Sequence, residues 1–190
     1  VLTAVYMKND YVFEVDGLYY KVTDYVNNIV EVTHNNGNLA PDGSQYTGKV
    51  VIPENVVYDG INYKVESIAE NAFRSCANLT GIVIPASIKS IGVDAFKDCT
   101  GLKAVYINDL AAWCRIDFLG VATSNPLNYA HNLYLNNALV TKLVIPDGIT
   151  EIKNETFRGC QSFNELIIPE GVVSIGRYAF NSCVSLVNIT

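Results

Sequence analysis

Five cysteines and two histidines are the residues of this 190-residue chain best suited to chemistry, and their spacing tests three uses. Cys76 and Cys99 stand 23 residues apart, as do Cys160 and Cys183. A zinc site needs thiolates converging on one point with short C-x-x-C spacing, whereas side chains recurring every 23 residues run parallel and do not converge. A disulfide wants Cβ atoms about 3.8 Å apart with a defined torsion, and equivalent atoms on stacked strands lie about 4.8 Å apart. The four are therefore expected as buried free thiols that act as small apolar side chains. Cys114, beside Trp113 and upstream of His131 and Asn132, has the residue types of a Cys-His-Asn hydrolase, but the local signature of a papain-like nucleophile is missing. His34 sits in the turn-like "HNNGN" and is expected at the solvent, and Gly-rich phosphate loops are missing too. No catalytic residue, no metal site and no cofactor is expected.

The elements that carry these residues repeat. "TGIVIPASIKSIGVDAFKDCTGL" at 80–102 returns as "NELIIPEGVVSIGRYAFNSCVSL" at 164–186. Ile-Pro steps end at Pro53, Pro85, Pro146 and Pro169, and Phe73, Phe96, Phe157 and Phe180 each precede a cysteine by three residues. Ile82 and Ile84 alternate as a strand does, while Phe96, Cys99 and Leu102 fall three apart, so each unit reads as a strand followed by a turn of helix. A single unit buries too little apolar surface to offset the entropy of ordering its backbone. Units must therefore stack, pairing their strands into a parallel sheet.

This unit resembles the BspA-like, or Treponema pallidum-type, leucine-rich repeats. The best matches are 80–102, 141–163 and 164–186, with a looser one at 48–79. Two departures stand out: Ala69 and Lys153 replace Gly92 and Gly176, so a left-handed backbone is not compulsory there, and Ser87, Gly148 and Gly171 stand where ordinary leucine-rich repeats carry Asn. The expected fold class is α+β and β-rich, a right-handed leucine-rich-repeat solenoid of about 23-residue repeats with a parallel sheet and an N-terminal antiparallel β cap. The resemblance implies a secreted or surface-attached bacterial protein that adheres to host or neighbouring cells by binding a protein or glycan, and is not an enzyme. Glycan capture and a purely structural spacer in a longer surface protein are the alternatives.

Residues 1–47 read as the cap, 48–190 as the solenoid, with an irregular long unit at about 103–140. Asp16-Gly17 and Asn36-Gly37 mark turns in the cap, and Asp59-Gly60 marks a hairpin that lengthens the first unit. In the long unit "DLAAWCRIDF" reads as a short helix starting near Asp109, "GVATSNP" as a loop, and the runs around Asn136-Asn137 as a hairpin. The final "LVNIT" starts a strand without a polar cap, and position 1 is not Met, so the chain is expected to be a piece of a longer protein.

Composition narrows the partners. Apolar residues make up 49% and charged ones 17%, which requires folding, and a net charge of −6 with scattered basic residues disfavours nucleic acid and anionic membranes. No apolar run is long enough to span a membrane. The cap is acidic, and sequons at Asn78, Asn154 and Asn188 matter only in a eukaryotic secretory pathway. With Ile82 and Ile84 inward, strand alternation aims Val51, Val83, Tyr106, Val144 and Ile167 outward as an apolar row, bordered by Lys49, Gly81, Ala104, Lys142 and Glu165. The expected binding residues are Val83, Tyr106, Tyr134, Lys142, Val144, Glu165 and Ile167. For a glycan, Tyr106, Tyr134 and Trp113 would supply stacking faces.

Overall fold

The computed structural model describes residues 11–35, 45–120 and 122–190, so the expected turn at Asn36-Gly37 lies outside the described residues. Strands β1 (Val12–Val15) and β2 (Leu18–Asp24) form a hairpin whose turn residues, Asp16 at φ 50° and Gly17 at φ 79°, take the two left-handed positions of a type I′ turn. Strand β3 (Ile29–Thr33) runs antiparallel to β2. After β4 (Gly48–Val51), strands β5 (Asn55–Tyr58) and β6 (Ile61–Ile68) make the second expected hairpin, turning at Asp59 and Gly60.

The chain then alternates between two faces. It passes through β7 (Leu79–Ile84), β8 (Ser90–Ile91), β9 (Ala104–Ile107), helix α1 (Leu110–Cys114), β10 (Asp117–Phe118), helix α2 (Leu127–Ala130), β11 (Leu133–Leu135) and β12 (Ala138–Leu139). It ends with β13 (Lys142–Val144), β14 (Glu151–Ile152), β15 (Glu165–Ile167), β16 (Ser174–Ile175) and β17 (Asn188–Ile189). Among the described residues four sheets result: β1-β2-β3-β6-β8-β10 with β5 beside β6, β12-β11-β9-β7-β4, β13-β15-β17, and β14-β16. Pairing between units is parallel and in the expected frame, with Gly81 opposite Ala104, Ser67 opposite Ser90 and Lys142 opposite Glu165.

Packing explains the motif. Ile82, Ile84 and Ile91 are buried in one hydrophobic cluster that runs from Phe13 to Cys183. Phe73 stacks on Phe96 at 5.0 Å and Phe157 on Phe180 at 5.4 Å, so each ring covers the next unit's ring. The cysteine three residues later donates its thiol backwards: Cys99 Sγ to the Phe73 carbonyl at 3.0 Å, and Cys183 Sγ to that of Phe157 at 3.1 Å. Cys76, Cys99, Cys160 and Cys183 are buried and free, as the spacing predicts, and Cys114 is buried and free as well.

Two local expectations change. The Phe-Cys-Leu stretch is not helical; it is a chain of turns, with Cys99 N on the Phe96 carbonyl and Leu102 N on that of Cys99, broken by left-handed residues such as Asp94 (φ 54°) and Asp98 (φ 62°). Three units also carry a second, two-residue strand, at Ser90–Ile91, Glu151–Ile152 and Ser174–Ile175, too short to stand out by alternation. Gly92 and Gly176 indeed lack a left-handed backbone. They are glycine because a Cβ would lie 2.4 Å from the backbone nitrogen of Glu70 or Asn154 in the preceding unit. Lys153 is tolerated at that place because β14 pairs only with β16, which leaves its side chain free to reach Asp117.

The long unit solves its excess in two parts. Val105 pairs with Leu133, 28 residues on, so β9 to β11 is one unit widened by α1, α2 and their loop. Asp109 caps α1 by accepting from Ala112 N at 2.9 Å, as expected, whereas α2, behind Pro126, was hidden by the loop-like "GVATSNP". The remainder is the expected hairpin: β12 runs antiparallel to β11 across Asn136 (φ 52°) and Asn137 (φ 65°). It occupies the edge of β11, so β13 starts a new sheet, and β14 likewise does not pair with β10. Side chains join the two halves. Trp113 Nε1 donates to the Thr156 carbonyl at 3.1 Å, Asn125 Nδ2 to the carbonyls of Glu155 and Thr156, and Leu133 N to Ser162 Oγ.

Candidate binding face

The outward side of β4, β7, β9 and β11 is built by alternation. Val50, Ile82, Val105 and Leu133 turn towards the core, leaving Val51, Val83, Tyr106 and Tyr134 aligned in register on the other side. Tyr106 and Tyr134 stack at 4.8 Å with their planes 27° apart. Lys49 lies across this face and places Nζ 3.7 Å from the centre of the Tyr106 ring. It can do so because its neighbours are small. A Cβ on Gly81 would meet Tyr106 Cε2 at 3.3 Å and Lys49 Cγ at 3.4 Å, and Ala104 offers only a methyl beyond it. Cation, ring and ring thus form a pre-ordered stack about 0.5–1.5 kcal/mol stronger per contact than area alone provides.

The geometry corrects the expected row in three ways. Gly81 and Ala104 are no exposed border; they are buried under the Lys49 and Tyr106 side chains. Val144 and Ile167 do face outward, with Val144 47% exposed, but they stand opposite each other in the separate sheet β13-β15-β17. Between them and Tyr134 comes Leu139 of β12, 43% exposed, which sequence reasoning missed because the hairpin's antiparallel return was not placed in the row. Lys142 and Glu165 are brought together as an ion pair at 2.7 Å and partly neutralise each other. Lys49 was legible only as a border residue; the Lys-x-Val / Gly-x-Val / Ala-x-Tyr succession across three strands is the signal that places its ammonium over the ring.

Trp113 supplies no stacking face. It is 1% exposed and its indole hydrogen is used on Thr156. Both faces of Tyr106 are also covered, one by Lys49 and one by Tyr134, so of the three expected aromatic platforms only the far side of Tyr134 remains. The Cys-His-Asn set does not assemble as a site. Cys114 is enclosed, and burial pushes its thiol up to about 12, while His131 Nδ1 meets the Gly159 carbonyl at 2.9 Å and Asn132 donates to Lys103. His34 is half-buried, with Nδ1 3.0 Å from the Asn35 carbonyl. Among the described residues no group of three metal-ligating side chains converges, and no helix is long and apolar enough to cross a membrane.

A family model described as BspA type leucine rich repeat region matches the chain in 6 copies, over residues 54–113 and 129–190. Among solved structures, a leucine rich cell surface protein from Faecalibacterium prausnitzii is similar over 96% of this chain at 20% identity and a TM-score of 0.53; this chain spans 55% of that one. The T. pallidum Leucine Rich Repeat protein is similar over 93% of this chain at 20% identity and a TM-score of 0.50, covering 70% of its own length. A leucine-rich repeat protein from Bacteroides ovatus aligns with 95% of this chain at 23% identity and a TM-score of 0.47, over 53% of its length. At these identities the likeness is one of fold. No curated protein matches.

Proposed function

Because this chain belongs to the BspA-type leucine-rich-repeat family, we propose that it is a non-enzymatic binding module, displayed on or secreted from a bacterial cell, that holds a protein partner on the outer face of β4, β7, β9 and β11. Its units are read as turns of a right-handed solenoid of about 23 residues each, with residues 1–47 as the β cap and 48–190 as the repeat array. The observation that carries the reading is the Lys49–Tyr106–Tyr134 stack. Aromatic and cationic side chains held in place before contact lose little entropy on binding, and such groups anchor protein interfaces more often than their abundance predicts. Val51 and Leu139, 57% and 43% exposed, extend the apolar patch on either side of Val83, Tyr106 and Tyr134. Val144, Ile167 and the Lys142–Glu165 pair form a second, smaller patch on the neighbouring sheet. A cell-surface setting is supported by the surface protein whose fold it shares, and adhesion is the role that follows from such a setting.

The test is surface plasmon resonance against a panel of extracellular-matrix and cell-surface proteins. A partner is expected whose affinity falls at least about tenfold in Tyr134→Ser and in Tyr106→Ser, both of which should melt close to the parent, while Val144→Ser is nearly silent. Binding that survives both tyrosine variants would remove this face as the site, and no binding across the panel would leave the spacer role in its place.

A further inference from the structure

At the C-terminal ends of β4, β7 and β9 the hairpin tip between β11 and β12 closes one side of an open dish of about 380 Å³. That volume falls within the range of about 300–1,000 Å³ of small-molecule sites. We infer that this dish, built from Glu54, Val83, Pro85, Asn108, Asn136 and Asn137, holds a neutral pyranose unit of a glycan. The inference goes beyond the protein-binding reading and stands without it: the dish shares Val83 and Tyr106 with that face, but its polar groups lie on the turns beyond the strands.

The polar groups are the first argument. Among the described residues the side chains of Glu54, Asn108, Asn136 and Asn137 make no hydrogen bond or ion pair. Three asparagines and one glutamate, all exposed, therefore line a single hollow with their side-chain donors and acceptors uncommitted to other side chains. Each is a planar group with two polar atoms, a shape that spans two adjacent hydroxyls of a sugar ring. The apolar floor of Val83 and Pro85 suits the C–H face of such a ring. Tyr106 contributes its edge, since both ring faces are covered.

Position and charge are the second. Asn136 and Asn137 hold left-handed backbone angles of 52° and 65°, and Asn136 N donates to the Ile107 carbonyl at 2.9 Å, so the tip is tied to the end of β9. The wall exists only because the β11–β12 hairpin interrupts the repeat. Among the described residues Glu54 is the one charged residue that lines the dish, so a phosphorylated, sulfated or carboxylated sugar would meet a like charge and no cation among them. Between β7 and β9 a peptide would find no free strand edge, because both are paired on both sides.

The experiment is a ¹⁵N heteronuclear NMR titration of the chain with the methyl pyranosides of glucose, galactose, mannose and N-acetylglucosamine, and with glucose 6-phosphate. The side-chain amides of Asn108, Asn136 and Asn137 are directly visible. At least one neutral sugar should move them in a saturable way with a dissociation constant in the millimolar range, and glucose 6-phosphate should not. Asn108→Ala and Asn137→Gly should each weaken binding by about tenfold or more; the second removes the amide while keeping a residue suited to the left-handed turn. Tyr134→Ser, the variant expected to weaken the protein face, should leave the sugar response intact. The inference falls if no sugar gives saturable shifts, if the shifts map elsewhere, or if Asn108→Ala and Asn137→Gly bind as the parent does.

Discussion

Gly159 offers a sharp test of how the two halves of the molecule are joined. The residue before the cysteine is left-handed in every regular unit: Ser75 at φ 59°, Asp98 at 62°, Gly159 at 78° and Ser182 at 61°. Three of the four carry side chains, so the backbone angle alone does not demand glycine. At Gly159 a Cβ would lie 2.6 Å from Asn128 Cα and 3.1 Å from the Leu127 carbonyl oxygen, both backbone atoms of α2, which no rotamer change relieves. Gly159→Ala therefore carries a left-handed penalty of about 1–2 kcal/mol and an overpacking penalty of about 1–3 kcal/mol, together about 2–5 kcal/mol. Ser182→Ala keeps the same backbone angle with no new atom in the way, and should change stability by less than about 0.5 kcal/mol. Urea unfolding followed by the emission of Trp113, the single tryptophan, reads the joint directly because its indole is bonded to Thr156. The midpoint should fall with an unchanged slope in Gly159→Ala alone. If Gly159→Ala costs no more than Ser182→Ala, α2 does not press on the second half as described, and the account of the joint is wrong.

Three further outcomes follow from particular contacts. Gly81→Leu should displace Lys49 from Tyr106 at a stability cost of about 1–3 kcal/mol, since Gly81 is buried under both side chains; loss of the upfield ring-current shift of the Lys49 ε-protons would register it, and an unchanged shift would contradict it. Asn125 is wholly buried and donates to the Glu155 and Thr156 carbonyls while accepting from Leu127 N. Asn125→Ala should cost about 2–4 kcal/mol in thermal or chemical unfolding, and a loss below about 1 kcal/mol would show that the loop is not held through it. Burial pushes the thiols of Cys99 and Cys114 up to about 12 from an ordinary 9.0. The native chain keeps protons that the unfolded chain releases, so their contribution is complete below about pH 9 and is lost towards pH 12, at about 1.4 kcal/mol per pH unit for each thiol. Urea midpoints between pH 8 and 11 should show that decline, shallower by one thiol in Cys114→Ala; equal slopes in the two chains would refute it.

The repeating unit was legible because its signals are local and redundant. Ile-Pro, Phe and Cys keep one frame, Asp16-Gly17 and Asp59-Gly60 are turn dipeptides with a stereochemical cause, and Asp109 is a helix cap. From these residues follow a parallel strand pairing every 23 positions, buried thiols, and hairpins at Asp16, Asp59 and Asn136. What stayed hidden depends on which segments meet. The two-residue strands at Ser90–Ile91 and its equivalents are defined by a neighbour's backbone and carry no alternation of their own. Neither Gly92 nor Gly159 carries its reason in its local sequence: one is small because the preceding unit lies against it and the other because α2 does. The outward row reads as five consecutive members in the aligned repeats, but β12 takes up the edge of β11 and divides it, and Lys49 reaches Tyr106 only because Gly81 lies between their strands. Sequence by itself determined the unit and its pairing, since strand alternation, turn stereochemistry and burial act over a few residues. Tertiary structure decided the face and the dish, since a hydrogen-bonding edge can be occupied once and the occupant is chosen by spatial proximity, not by position in the repeat.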